Sequence, residues 1–198
     1  MAKTLNALVA ALATLLALAA CGGQDDAEPA THTAADGQRF NDADVAFATD
    51  MVQHHAQALA MVDQTLGRDL GPRLGRLAEG IRAAQGPEIE TLTGWLTDWD
   101  QPVPETVRDH ANAHGGHAEM DSDMPGMMSQ EQMDDLAAAT DAEFEEMFLT
   151  MMIEHHEGAI DMARAEQRDG LHEGAVALAE QIGSAQAREI ETMQRMLS

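Results

Sequence analysis

Two adjacent histidine pairs are the residues in this sequence best suited to chemistry. Each pair has a methionine three residues before its first histidine and another seven residues after it. At about 100° per residue, these side chains share one flank of a helix. Imidazoles bind first-row transition metals and thioethers favour Cu(I), so the spacing predicts a soft-metal site. The predicted ligands are Met51, His54, His55, Met61, Met152, His155, His156 and Met162.

The histidine pairs belong to an internal repeat. Residues 40–97 align with residues 141–198 without a gap, and 19 of the 58 positions are identical. Helix-period sequence in each copy is interrupted once, near residues 67–71 and 169–170, so each copy is predicted to be a helical hairpin. Two such hairpins predict an all-α fold, a four-helix bundle with one long connection.

The second helix of each hairpin carries two polar residues within its apolar face. They are Gln85 and Glu88 in the first copy, and Gln186 and Glu189 in the second. A buried polar group without a partner costs about 1–3 kcal/mol, and a charge costs more. We therefore expect these side chains to bond with the histidines, as second-shell residues that orient the imidazoles. The same residues also fit a purely structural network without metal.

Composition supports the helical fold and excludes several partners. The 198 residues contain 11 Lys and Arg against 35 Asp and Glu, which gives a net charge of −24. Nucleic acid and anionic membrane surfaces need cationic side chains, so neither is an expected partner. Ala, Leu and Met, which favour helices, supply the apolar residues. Asn41 or Asp42 is the predicted start of the first helix, and Ser129 with Gln132 predicts a capping box.

The N-terminal residues resemble a bacterial lipoprotein signal. A lysine and a short apolar run end in Leu-Ala-Ala before the single cysteine, Cys21, which is the predicted lipidation site. Gly22 follows it, so the usual signal for inner-membrane retention is absent, and we expect an outer-membrane anchor facing the periplasm or the cell surface. An ordinary secretory signal is the alternative. The predicted organisation is a signal peptide (1–20), a flexible acidic tether (21–40) and a bundle (41–198) made of repeat 1 (41–97), a linker (98–128) and repeat 2 (129–198).

The linker is rich in histidine and methionine. Methionines spaced by a few residues present several thioethers to Cu(I), and short His-rich tracts favour metal binding. A disordered acidic linker explains the same composition, and the two interpretations stay open at this point. The auxiliary metal residues under the first interpretation are His110, His114, His117, Met120, Met124, Met127 and Met128.

The doubled motif resembles the signature of domain-of-unknown-function family 305. The matching residues are Met51-x-x-His54-His55-x-x-Ala58-x-x-Met61 and Met152-x-x-His155-His156-x-x-Ala159-x-x-Met162, and the resemblance covers about residues 40–198. That family consists of secreted bacterial ferritin-like bundles and includes copper-binding members of the CopM type. The resemblance implies a ferritin-like four-helix bundle, an extracytoplasmic location and, for some members, copper tolerance.

Three functions follow from these residues. The leading hypothesis is a non-catalytic lipoprotein that sequesters, buffers or hands on copper, with Cu(I) favoured over Cu(II). Its partners would be a copper donor or acceptor protein and a second copy in a homodimer. The first alternative is a ferritin-like di-metal oxidase, although no Glu-x-x-His occurs in the sequence. The second alternative is a structural helical bundle without a ligand.

Overall fold

The structure is a computed structural model that describes residues 30–110 and 124–198. Several predictions therefore concern residues outside the described part. These are the signal peptide, the lipidation of Cys21, most of the tether, and His114, His117 and Met120. His110 lies at the end of a described helix, but its side chain is not described.

Four long helices dominate the described residues and confirm the predicted all-α bundle. The elements are β1 (Thr31–Thr33), β2 (Arg39–Asn41), α1 (Asp42–Asp63), α2 (Pro72–Asp98), α3 (Val107–His110), α4 (Gln130–Ala138), α5 (Asp141–Asp169) and α6 (Glu173–Leu197). Helices α1 and α2 form the first hairpin, and α5 and α6 form the second. The helices of each hairpin are separated by residues 64–71 and 170–172, which agrees with the predicted interruptions.

Local capping explains where the helices begin. The side chain of Asn41 accepts hydrogen bonds from two backbone N–H groups of the first turn of α1, and the Asp44 carboxylate accepts the Asn41 N–H at 2.7 Å. Ser129 and Gln132 form the reciprocal bonds of a capping box at α4. Pro72 occupies the first turn of α2, where its missing N–H has no intrahelical partner to lose. These caps fix the register of the helices that carry the histidines.

Helices α1 and α5 pack against each other in antiparallel orientation. Arg68, which follows α1, donates to the Asp141 carboxylate at the start of α5. At the opposite end, Asn41 donates to the backbone oxygen of Asp169, the last residue of α5. Because the hairpins are copies of one sequence, this arrangement relates them by an approximate two-fold axis. The axis passes where α1 crosses α5, close to the histidine pairs.

The apolar core is divided into two clusters. The first cluster lies where α1 ends and α5 begins. It includes Phe144 and Phe148 of α5 and Leu136 of α4. The second lies at the other end and includes Phe47 and Leu92. Each cluster takes residues from both hairpins. The hairpins therefore fold as one unit around a shared core.

Residues 31–40 differ from the expectation of a flexible tether that extends to residue 40. Strands β1 and β2 pair in antiparallel fashion, with Thr31 opposite Asn41 and Thr33 opposite Arg39. The ring of Phe40 is 4% exposed and stacks on Trp99 at a centroid distance of 4.8 Å. Burial of this aromatic pair anchors the hairpin to the bundle, which corrects the tether prediction for these residues.

The long helices are all too polar to cross a membrane. Across residues 30–110 and 124–198, no helix combines the length and the hydropathy that a membrane crossing requires.

Candidate metal centre

His54 and His155 meet where α1 crosses α5. Their ring centroids lie 3.7 Å apart with the planes tilted by 38°, and both residues are 0% exposed. The two positions are equivalent in the repeat, so the approximate two-fold axis brings equivalent imidazoles into contact. We call His54, His55, His155 and His156 the histidine layer, since all four are fully buried between the two apolar clusters.

The second histidine of each pair is bonded to a glutamate of its own hairpin. His55 Nε2 lies 2.8 Å from Glu88 Oε2, and His156 Nε2 lies 2.6 Å from Glu189 Oε2. A carboxylate only accepts, so the Nε2 atoms donate and carry the hydrogen. Each Nδ1 atom is buried without a hydrogen-bond partner. The glutamates thus lie where the sequence predicted and orient the rings, with Nδ1 as the nitrogen left for a metal.

Burial holds the central imidazoles in the neutral form. Desolvation, followed by the nearby His55, lowers the pKa of His54 from 6.5 to about 3. Desolvation also lowers the pKa of His155 well below its usual value, with the His54 ring as the next cause. Metal ligation needs an unprotonated imidazole nitrogen. Both rings therefore have a lone pair to offer at neutral pH without first losing a proton.

The methionines combine across the two helices. Met51 lies in the second apolar cluster and the half-buried Met162 packs against that cluster, whereas Met61 and Met152 both lie in the first. The antiparallel crossing of α1 and α5 explains these pairs. It places the methionine that precedes one histidine pair at the same level as the methionine that follows the other pair. Each side of the histidine layer thus receives thioethers from both repeats. Met162 is the one predicted ligand that is not fully buried.

The unpartnered atoms of the layer fit a soft metal ion. Nδ1 of all four histidines, Nε2 of His155 and the amide atoms of Gln85 and Gln186 are buried without hydrogen bonds. The expected bonds of the two glutamines to the histidines are therefore not formed, unlike those of the two glutamates. Within the described residues, no three side chains among His, Cys, Asp and Glu form a preformed metal centre. A site here would therefore need methionine sulfur beside the imidazoles. Nitrogen and thioether donors in an apolar, water-poor interior suit Cu(I) better than hard cations.

The end of the linker reaches the same place. Residues 124–128, which we call the strap, cross the bundle at the histidine layer, where the Pro125 backbone oxygen accepts the His54 Nε2–H at 3.1 Å. Met128 is 1% exposed and belongs to the first apolar cluster, while Met124 and Met127 are half-buried. Part of the predicted auxiliary set therefore belongs to the bundle itself.

Sequence reasoning missed the residues that hold the strap. Gln57 is fully buried and bonds both backbone groups of Met128, and Gly158 lies directly under Pro125. The one available indication was weak: the second copy has a glycine inside a helix where the first has a glutamine, at one of several motif positions at which the copies differ. Residue type alone did not show that a loop crosses there.

A buried pair of acids at the far end of the α1–α5 interface was also missed. The Asp44 carboxylate accepts the N–H groups of Asn41, Leu171 and His172, and Glu166 lines an adjacent cavity of about 160 Å³. Glu166 is 1% exposed, and burial, followed by the neighbouring Asp44, raises its pKa to about 9.

Glu166→Gln is expected to stabilise the protein at neutral pH. Between pH 4.5 and about 9 the unfolded chain releases the Glu166 proton while the folded chain retains it, so stability falls as the pH rises through this window. The amide removes that cost, which at pH 7 we put at about 1–2 kcal/mol after allowing for solvent screening. Thermal unfolding at pH 7 and pH 4 measures it. A gain of equal size at pH 4 would contradict the protonation argument.

The fold and the site together define a class of protein: a duplicated helical bundle that buries imidazoles and thioethers at its approximate two-fold axis. The chain belongs to the family described as Domain of unknown function (DUF305), whose model matches residues 44–197. No protein of curated function matches this sequence significantly.

Solved structures of DUF305 proteins and of CopM share the fold. A DUF305 fragment from Deinococcus radiodurans is 28% identical, with a TM-score of 0.69 over 84% of this chain and 98% of that chain. A Streptomyces coelicolor DUF305 protein, described by its name as secreted, is 29% identical, with a TM-score of 0.67 over 78% and 91%. CopM in its Cu(II)-bound form is 28% identical, with a TM-score of 0.63 over 77% and 94%. CopM is also known in Cu(I)-bound, silver-bound and apo forms.

Proposed function

We propose that this protein binds copper outside the cytoplasm and sequesters, buffers or hands it on without catalysing a reaction. The observation that carries the proposal is the histidine layer, in which each buried imidazole keeps an unpartnered Nδ1 and methionines of both repeats lie in the apolar clusters on its two sides. The ion is cargo rather than a resident cofactor. The ligands we assign are His54, His55, His155 and His156 with Met51, Met61, Met152 and Met162.

The similarity to CopM supports copper as the metal. CopM structures hold Cu(I), Cu(II) and silver, and silver is a common stand-in for Cu(I) because both are soft monovalent ions. The N-terminal signal and Cys21 support anchoring by lipid to the outer membrane. A copper donor or acceptor protein and a homodimer remain part of the same proposal.

The proposal predicts tight binding of Cu(I) by the purified full chain. Anaerobic titration against a chromophoric Cu(I) chelator measures affinity and stoichiometry, with Cu(II), Zn(II) and Fe(II) tested alongside. A ligand that binds only the folded state at a hundred times its Kd adds about 2.7 kcal/mol of stability, so Cu(I) should also raise Tm. If the protein takes none of these metals from the chelator and none of them raises its Tm, the histidine layer is a structural network and the copper proposal is wrong.

A linker variant distinguishes copper binding by the bundle from copper binding by the linker. The strap contacts His54, so a deletion that reaches residue 128 would disturb both candidate sites at once. Replacing only His110, His114, His117 and Met120 with alanine leaves every strap residue in place. We expect this variant to retain the tight site. Loss of tight binding would move the function to the linker.

A ferritin-like di-metal oxidase is less well supported. Such centres need several carboxylates and histidines in one cluster, and residues 30–110 and 124–198 contain no group of three. Glu154 and Glu157 beside the second histidine pair are exposed rather than turned inward. Both observations favour binding over oxidation.

A further inference from the structure

The strap crosses the bundle close to the approximate two-fold axis, and the two repeats differ where it crosses. Gln57 of α1 and Gly158 of α5 occupy corresponding positions, three residues after the first histidine of each pair. A single segment cannot obey two-fold symmetry, so corresponding positions under it must have different roles. One position holds the strap, and the other lets it approach.

Gln57 holds the strap by its backbone. Its side-chain nitrogen donates to the Met128 oxygen at 2.8 Å, and its side-chain oxygen accepts the Met128 N–H at 2.7 Å. Both bonds are buried, so losing either would leave a polar backbone group without water or a partner. The contact fixes the end of the strap on α1.

Gly158 and Gly126 allow the strap to lie directly on α5. A Cβ atom at Gly158 would overlap the Pro125 carbonyl group. A Cβ atom at Gly126 would lie 2.6 Å from the Glu154 carbonyl oxygen, and Gly126 also has a φ of +75°, which favours glycine. Any side chain at either position would lift Pro125 away from the histidine layer.

The position of Pro125 determines which nitrogen His54 can offer. A backbone carbonyl only accepts, so its bond to His54 Nε2 requires the hydrogen on Nε2. A neutral imidazole then has its lone pair on Nδ1, which is buried and unpartnered. His155 has no hydrogen-bond partner on either nitrogen. The strap therefore distinguishes two otherwise equivalent histidines.

We infer that the strap is a wall of the copper site, and that Gln57 and Gly158 are positioning residues that fix His54 as its Nε2–H tautomer. This inference rests on the proposed function, because it assigns Nδ1 as the His54 donor atom. Outer contacts that orient a ligating histidine typically change metal affinity by about 10–100-fold. We expect an effect of that size when the strap is displaced.

Long-range ¹H–¹⁵N correlation spectra of the His54 ring in the metal-free full chain test the tautomer directly. The wild type should show the Nε2–H pattern. Gln57→Leu, which removes both bonds, and Gly158→Ala, which displaces Pro125, should each give a mixture of tautomers. Gln57→Glu keeps the acceptor for Met128 N–H and should be intermediate. Gly183→Ala is the matched helix control, since its Cβ would meet only ordinary contacts, the nearest at 3.8 Å.

Cu(I) competition on the same variants is the second measurement. We expect Gln57→Leu and Gly158→Ala to bind about 10-fold or more weakly and Gly183→Ala to match the wild type. If the wild type binds copper and the strap variants bind equally well, or keep the Nε2–H pattern, the strap inference is wrong and the proposed function stands. If the wild type binds no copper, the proposed function itself is wrong. Circular dichroism checks folding, and Gln57→Glu serves as the test if Gln57→Leu does not fold.

Discussion

His155→Leu is expected to stabilise the metal-free protein while it removes most of the copper affinity. The imidazole of His155 is fully buried, and neither nitrogen has a hydrogen-bond partner. Leucine has a similar volume and no polar atoms, so the change should raise the free energy of unfolding by about 1–3 kcal/mol. Loss of a central ligand should weaken Cu(I) binding by at least about 100-fold, which corresponds to about 2.7 kcal/mol. Denaturant unfolding and chelator competition measure the two effects.

This variant is informative because it is expected to increase the stability of the metal-free protein and to decrease its affinity for Cu(I). A protein that retains a destabilising buried group is expected to need it for function. His32→Leu is the control, since His32 is a half-exposed residue of β1 bonded to Asp42. It should leave copper affinity unchanged. If His155→Leu instead destabilises the metal-free protein, the imidazole is part of a structural core, and the alternative of a bundle without a ligand gains support.

The helices and their inward faces were predictable because they depend on local sequence. Asn41 and Ser129 each come directly before helix-period sequence, and their side chains cap the helices that follow. Glycines separate the two helices of the hairpin in both repeats. The helical period alone placed Glu88 and His55 on buried faces. Their bond across one hairpin then follows from the short connection between the helices.

The remaining features depend on contacts between distant segments. Met51 and Met162 lie at the same apolar cluster because α1 and α5 cross in antiparallel orientation. The periodicity within one helix contains no information about that crossing. The bond from His54 to Pro125 joins residues 71 positions apart, through a linker whose composition indicated either metal binding or disorder but no contact with the bundle. The sequence around Phe40 has no clear strand pattern, so the hairpin of β1 and β2 was not predicted. The stacking of Phe40 on Trp99, which holds this hairpin in place, is a contact between distant residues.

Glu88→Gln with Glu189→Gln is expected to weaken Cu(I) binding by about 10–100-fold while the bundle stays folded. Each carboxylate accepts the Nε2–H of a histidine, which orients the ring and makes Nδ1 a stronger donor. Glutamine has the same shape and retains an acceptor oxygen but loses the charge. The glutamate side chains are 19% and 23% exposed, so the amides remain partly hydrated and should cost little stability. Chelator competition and thermal unfolding of the metal-free protein measure both quantities.

The matched control is Glu79→Gln with Glu180→Gln, which removes the same charge from exposed positions of the same two helices. If copper affinity depends on the local bonds to the imidazoles, this control should bind like the wild type. An equal loss in the control would assign the effect to the overall negative field of a chain with a net charge of −24. The single variants add a further distinction, because one ion shared at the two-fold axis predicts equal losses for Glu88→Gln and Glu189→Gln. Unequal losses would place the ion on one side of the histidine layer, where the strap already makes His54 and His155 different.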